Sequence, residues 1–244
     1  IYARRINSAG VAQWTADGVE ISTAAGDQIS PTIVSDGAGG AIITWRDGRS
    51  ESVYMDLYAQ RVTAAGVVQW TTNGVAICTV LGYQLFPAIV SDGAGGAIIS
   101  WDDLRSVVDY DIYAQRISAA GVVQWTAGGV AISTASNSQL NSSLVSDGAG
   151  GAIITWGDNR NLNSDIYAQR INSAGVVQWI ANGVAISING NDQYGPSIAS
   201  DGARGAIIAW RDNRNLNSDI YAQRINSAGG AQWIANGVAI STAL

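Results

Sequence analysis

The apolar residues of this chain fall in short runs separated by turn-forming clusters, and residues 87–134 show the whole pattern. Residues 87–91 are a short apolar run, and Asp92-Gly93-Ala94-Gly95-Gly96 reads as a tight turn. Ala97-Ile98-Ile99-Ser100-Trp101 follows, apolar on both faces. A polar loop leads to Ile112-Tyr113-Ala114-Gln115-Arg116-Ile117, which Ser118-Ala119-Ala120-Gly121 turns back. Val122-Val123-Gln124-Trp125 and, after a Gly-Gly break, Val130-Ala131-Ile132-Ser133 complete the unit. Runs rich in β-branched residues between Gly, Asn, Asp and Ser turns, spaced roughly 8 to 12 residues apart, predict consecutive antiparallel hairpins. No stretch carries a 3.6-residue apolar period, so helix is expected to be nearly absent. Strands apolar on both faces belong in a sheet covered on each side.

The unit repeats. The motif Ile/Leu-Tyr-Ala-Gln/Arg-Arg-Ile/Val begins at Ile1, Leu57, Ile112, Ile166 and Ile220, a period of 54 to 56 residues. A period of this size signals a repeat architecture. Radial stacking of four-stranded antiparallel blades covers both faces of each sheet and protects its edges. The prediction is therefore an all-β protein, a β-propeller forming a single domain over residues 1–244. It has an N-terminal half-blade (residues 1–23) and four complete blades (residues 24–79, 80–134, 135–188 and 189–244). Five-blade geometry is favoured, with about 30 further residues after Leu244 supplying the first two strands of the unfinished blade. Opening on Ile1 in mid-repeat, the chain reads as a trimmed piece of a longer precursor. The second arrangement is an open one, in which the unpaired edge of the half-blade recruits another chain and the protein self-associates.

The copies can be measured against each other. From motif Tyr to the next Trp is always 12 residues, and from that Trp to the following one always 31. Only the span from the second-strand Trp to the next Tyr varies, as 13, 12, 11 and 11. Every length change thus falls in the loop joining strands two and three. Substitutions gather there and in the connection from strand four to the next strand one, and both emerge on the same end of a blade. One face is monotonous and the other diversified, and loops on a rigid scaffold are where recognition sits. Drift in unconstrained loops produces the same variation. The candidate contacts on that face are Asp27, Glu51, Tyr54, Tyr83, Phe86, Tyr110, Asp192 and Tyr194. Gln28, Gln84, Gln139 and Gln193 hold still inside the variable connection. Their amides either bond loop backbone, the plainer role, or repeat one ligand hydrogen bond.

Other repeated positions have packing roles. Trp45, Trp101, Trp156 and Trp210 end the second strand, and Trp14, Trp70, Trp125, Trp179 and Trp233 are assigned to the fourth. Both sets are expected to wedge between blades rather than to stack on sugars. Asp47 with Arg49, and its counterparts Asp103/Arg105, Asp158/Arg160 and Asp212/Arg214, are expected to pair and pin the hairpin. Asp36, Asp92, Asp147 and Asp201 should cap their own Asp-Gly turns. Cys78 stands where the other repeats have Ser22, Ser133, Ser187 and Ser241, and reads as a small buried strand residue.

Composition removes several functions. A net charge of -6 leaves no basic face for nucleic acid. No apolar run is long enough to span a bilayer as a helix, so membrane insertion is not expected. Histidine is absent and cysteine single, which removes the usual general base, the commonest metal ligand and any thiolate cluster. No cofactor and no metal site are expected. The carboxylate pair best placed for glycoside hydrolysis, Asp102 with Asp103, is adjacent in sequence and sits in the variable loop, and most polar clusters recur in every repeat. The chain is not expected to be an enzyme.

Ser91-Asp92-Gly93-Ala94-Gly95-Gly96-Ala97-Ile98-Ile99-Ser100-Trp101 and Asp165-Ile166-Tyr167-Ala168-Gln169-Arg170-Ile171 resemble the repeats of secreted, repeat-rich bacterial surface proteins. That resemblance covers the whole chain and implies a propeller and a secreted or cell-surface location, without an activity. The Asp-box turn of sialidase propellers is degenerate here. In Ser8-Ala9-Gly10-Val11-Ala12-Gln13-Trp14 the box Asp is missing and the Gly-to-Trp gap is one too long, so sialidase chemistry does not carry over. The expected function is a lectin-like or adhesive binding propeller recognising a glycan or a surface protein through its variable loops. The alternatives are a structural surface or filament protein assembling through blade edges and, behind both, a glycan-active hydrolase.

Overall fold

A computed structural model describes residues 1–50, 54–215 and 217–242. The described residues form strands and turns without helix. β1 (Tyr2–Ala3) and β2 (Val19–Glu20) make a two-stranded sheet. Four four-stranded antiparallel sheets follow, each with its strands in sequence order. The first holds β3 (Gln28–Ser35), β4 (Ala41–Asp47), β5 (Asp56–Val62) and β6 (Val75–Cys78). The second holds β7 (Gln84–Ser91), β8 (Ala97–Asp103), β9 (Asp111–Ile117) and β10 (Val130–Ser133). The third holds β11 (Gln139–Ser146), β12 (Ala152–Asp158), β13 (Asp165–Ile171) and β14 (Val184–Ser187). β15 (Gln193–Ser200), β16 (Ala206–Asp212), β17 (Asp219–Ile225) and β18 (Val238–Ser241) make the fourth. Neighbouring sheets converge on their first strands, β3 against β7, β7 against β11 and β11 against β15. This is a β-propeller.

The core lies between blades. Ile42, Leu57 and Ile77 of the first blade pack on Ala97, Ile99, Trp101 and Ile117 of the second. Ile98 and Ile112, on the opposite face of that second blade, pack on Ala152, Ile154 and Trp156 of the third. The whole of β8 and of β12 is buried for this reason, with alternate residues serving alternate neighbours. Each isoleucine buried this way contributes roughly 1.5–3 kcal/mol.

Each position of the repeated motif has an assignable contact. The Tyr ring carries the guanidinium of the Asp-x-Arg pair, with Arg105 lying 3.6 Å from the Tyr113 centroid. The Arg bonds the turn aspartate, as Arg116 does Asp92 at 2.9 Å, while its other nitrogen reaches Ser173 O of the next blade. The turn aspartate also accepts from its own turn, Ala94 N and Gly96 N both at 2.8 Å from Asp92 Oδ1. The Gln explains a departure from the predicted elements. Val122-Val123-Gln124-Trp125 is no strand, only a bridge from Val123 to Ile117. Gln115 Oε1 accepts from Trp125 N at 3.0 Å and Nε2 donates to Thr126 O at 2.9 Å, so a side chain replaces the ladder there. Trp125 then turns its Nε1 onto Ser173 O at 3.1 Å, clamping blade to blade. The other tryptophan set is buried, and Trp101 Nε1 donates to Asp103 Oδ2 at 2.6 Å.

Candidate active site on the variable face

The two variable segments are bonded to each other on one end of the blades. Gly48 N donates to Asp27 O, Leu104 N to Tyr83 O, Asn159 N to Ser138 O and Asn213 N to Asp192 O. Beside this seam every first strand carries a bulge, where the register slips between Leu85 and Ala88 and at the equivalent places. Its pivot residue is left-handed in all four blades: Ser30, Phe86, Asn141 and Gly195, with φ from 50 to 58°. Bulges of this kind re-aim side chains at functional rims. In three blades the next residue is proline (Pro31, Pro87, Pro196), and in the third blade it is Ser142.

Facing each bulge is the single residue in which the second strands differ strongly in charge and size: Arg46, Asp102, Gly157 or Arg211. Asp102 is buried against the blade that has Ser142 in place of proline, and its carboxyl accepts from Asn141 N at 2.8 Å and Ser142 N at 3.4 Å. Burial raises Asp102 to about 7, against the pull of those two bonds. Burial also lowers Arg46 from its ordinary range, with Tyr110 and Tyr83 acting the other way. Gly157 leaves a cavity of about 250 Å³ bounded by Asn141, Asn159, Ser164 and Tyr194. It shares residues with a wider cleft of about 540 Å³ that adds Asp109, Ser138, Asn163 and Asp192.

A second set of carboxyls closes the loop between strands two and three. Asp56, Asp111, Asp165 and Asp219 stand opposite Asp47, Asp103, Asp158 and Asp212 in register. Burial works to raise Asp47 and Asp212, but the Arg49 and Arg214 bonds hold both below the carboxylate range. The outer members move the other way, burial raising Asp56 and Asp165. What anchors the outer member differs by blade. Asp165 accepts from Asn161 at 2.7 Å and Asn163 at 2.9 Å, and Asp219 from Asn215 at 3.0 Å. Asp111 has no side-chain hydrogen bond among the described residues, and where the third blade has Asn163 the second has Asp109. An amide that would steady the charge is thus replaced by an acid that opposes it. Burial first, then the Asp103 and Asp109 charges, push Asp111 up to about 6. Proximity of like charges and loss of solvent together keep a carboxyl protonated toward neutral pH.

The structure disperses the sequence candidates into groups. Tyr54 and Tyr83 meet edge to face, ring centroids 4.9 Å apart. Asp192 and Tyr194 meet in the wide cleft, the Tyr194 hydroxyl donating to Asp192 Oδ2 at 2.5 Å. That bond, with Ser164 N, holds the Asp192 carboxyl below its ordinary range. Tyr110 lends its carbonyl to Gln139 N, and Asp27 its carbonyl to Gly48 N. Phe86 is an exposed bulge pivot. Gln28, Gln84, Gln139 and Gln193 each turn their amide nitrogen onto carbonyls of their own connection, such as Gln84 onto Val80 O and Gly82 O. Glu51 lies outside the described residues. Asp109 and Asp111 were missed as a pair, although the replacement of Asn163 by Asp109 is visible when the loops are aligned on their closing aspartate.

No protein-family model matches the chain. No curated protein is similar to it in sequence. Solved structures are similar to it in fold. An α-L-arabinanase of Penicillium chrysogenum in complex with arabinobiose is 12% identical, with a TM-score of 0.54 over 88% of this chain and 69% of that one. An α-L-arabinofuranosidase of Fusarium graminearum is 10% identical, with a TM-score of 0.50 over 91% of this chain and 71% of that one. An endo-arabinase of Bacteroides thetaiotaomicron is 15% identical, with a TM-score of 0.48 over 87% and 80%. The first two carry the fold likeness, to propellers that are glycoside hydrolases.

These findings correct two expectations. A purely binding or structural propeller, and a chain that is not an enzyme, are both overturned by the glycoside hydrolases whose solved structures share this fold. The expectation of no enzyme rested on the recurrence of the polar clusters and the absence of a usual general base, and the second blade breaks that recurrence at Asp109, beside the recurring Asp111. Among the described residues no group of acidic or thiol side chains is placed to hold a metal ion, and no helix is long and apolar enough to cross a membrane.

Proposed function

We propose that the chain is a glycan-active hydrolase whose working carboxyls are Asp111 and Asp109. The observation that carries this is the unanchored Asp111, raised to about 6 beside a second acid, where the other blades use amides or hydroxyls to hold the same position. Asp111 supplies the proton to the glycosidic oxygen, and Asp109 takes a proton from the attacking water. Asp103, with both oxygens engaged by Arg105 and Trp101, stays fixed and keeps the proton on Asp111. The adjoining cleft offers hydroxyls, amides and an exposed ring to a sugar, from Ser138, Asn159, Ser164, Asp192 and Tyr194. The fold of arabinan-degrading enzymes supports this reading. A hydrolase of this kind works outside the cell, where polysaccharide is met.

The test is reducing-sugar release from a panel of polysaccharides including arabinan and xylan. Asp111→Asn is expected to lower the rate roughly 10²- to 10⁴-fold, and wild-type activity to fall as pH rises through about 6. A wild-type chain that releases sugar from no member of the panel, or full activity in Asp111→Asn, refutes the proposal.

A further inference from the structure

The junction between the third and fourth blades is open where the junction before it is plugged. In register, Arg46 stands opposite Ile29, Asp102 opposite Leu85, Gly157 opposite Leu140 and Arg211 opposite Tyr194. Asp102 crosses to the bulge of the following blade and is held there by Asn141 N and Ser142 N. Gly157 sends no side chain across. The cavity of about 250 Å³ occupies that place, against Tyr194 and Gly195 of the fourth-blade bulge. Gly195 N is the counterpart of Asn141 N and meets no side-chain acceptor among the described residues. Pro196, the counterpart of Ser142, has no N–H to give.

The polar groups around this cavity are unspent. Among the described residues, the Ser164 hydroxyl and the side-chain amides of Asn141 and Asn159 make no hydrogen bond. Their frame is fixed, because Ser164 O accepts from Gln193 N at 2.6 Å and Ser164 N donates to Asp192 Oδ1 at 3.0 Å, tying the two blades together. A hydroxyl and two amides supply donors and acceptors without net charge. No cationic side chain is among the residues lining the cavity or the cleft that continues from it, whereas Asp109 and Asp192 both line the cleft. We infer that the Gly157 cavity is a subsite for one neutral sugar unit of the glycan held in the cleft, and that Gly157 determines this specificity. The subsite presupposes the glycan-active reading of that cleft. The sugar hydroxyls bond Asn141, Asn159 and Ser164 in the place that the Asp102 carboxyl fills one blade earlier. A uronic acid meets Asp109 and Asp192 with no cation to offset its carboxylate, and is selected against.

The repeats themselves supply the test variant, since two blades carry Arg at this position. A Cβ on Gly157 stands at ordinary contact distance, 3.4 Å from Ser164 Oγ and 3.6 Å from Leu140 O, so Gly157→Arg is expected to keep the parent Tm. Titration calorimetry of the whole chain, with Asp111→Asn present so that no ligand is consumed, compares arabinotriose, xylotriose and trigalacturonate. At least one neutral trisaccharide is expected to bind, and trigalacturonate roughly tenfold more weakly or not at all. Gly157→Arg should weaken the neutral ligand roughly tenfold, the worth of about one net hydrogen bond, and leave trigalacturonate unchanged or tighter. If Gly157→Arg lowers Tm, Gly157→Val fills the cavity without charge and should show the same loss for the neutral ligand. Binding of none of the three, equal binding of trigalacturonate, or a neutral affinity that survives both substitutions overturns the subsite. Hydrolysis is not read in this experiment. A chain that binds in this way yet releases no sugar loses the proposed activity alone, and one that hydrolyses glycan but ignores both substitutions loses the subsite alone.

Discussion

Replacing Asp102 by Asn should make this protein more stable at mildly alkaline pH and less stable in acid. Asp102 is fully buried, and its carboxyl, raised to about 7, has only Asn141 N and Ser142 N for hydrogen-bond partners among the described residues. The folded protein therefore holds this proton over a range in which the unfolded chain, at the ordinary 3.8, has released it. Stability from this group is intact below about pH 4, declines as pH rises and has lost about 4 kcal/mol above about pH 8. In Asp102→Asn the side chain carries no charge, and its single carbonyl oxygen keeps the shorter bond to Asn141 N. The longer bond to Ser142 N is lost, costing about 1 kcal/mol at any pH. The variant should thus be about 3 kcal/mol more stable than wild type near pH 8 and about 1 kcal/mol less stable near pH 3, with the curves crossing at about pH 4.5. Urea unfolding of both proteins over that range measures the difference directly. Subtracting one from the other removes Asp111, Asp56 and Asp165, which titrate in both. A difference that stays constant from about pH 4 to about pH 8 would refute the assignment of a raised carboxyl at this position.

Two further outcomes follow from packing. Gly183 has φ +83°, and a Cβ there would stand 2.6 Å from both Ala168 O and the Trp156 ring. Gly183→Ala should cost roughly 3 kcal/mol in urea unfolding, whereas Gly190→Ala, which meets nothing within 4 Å, should cost almost nothing. Cys78 is 2% exposed and burial pushes its thiol up to about 11. A thiol reagent at about pH 8 should therefore leave the native chain unlabelled and react fully once denaturant is added; labelling of the native chain would place the thiol at the surface.

The alternation of apolar runs and turn clusters, with the fixed spacings from Tyr to Trp and Trp to Trp, determined the blade and the loops that vary. Those features are local: strand faces and turn residues declare themselves within a few positions of chain. The pairing of Asp47 with Arg49 and the capping of Asp92 on its own turn were legible for the same reason. Val122-Val123-Gln124-Trp125 was misread as strand because its ladder is replaced by the Gln115 side chain, ten residues away. Asp102 looked like half of a carboxylate pair with Asp103, yet adjacent strand residues point to opposite faces. Asp102 meets the bulge of the next blade, while Asp103 is held by Trp101 and Arg105. Which carboxyl keeps its proton depends on burial and on neighbours contributed by other strands and other blades, and these exist only in the tertiary structure. The sequence by itself therefore settled a repeated blade with one changeable rim. Only the packed molecule decided that Asp111 stands unanchored beside a second acid, because charge and solvation are properties of the assembled site.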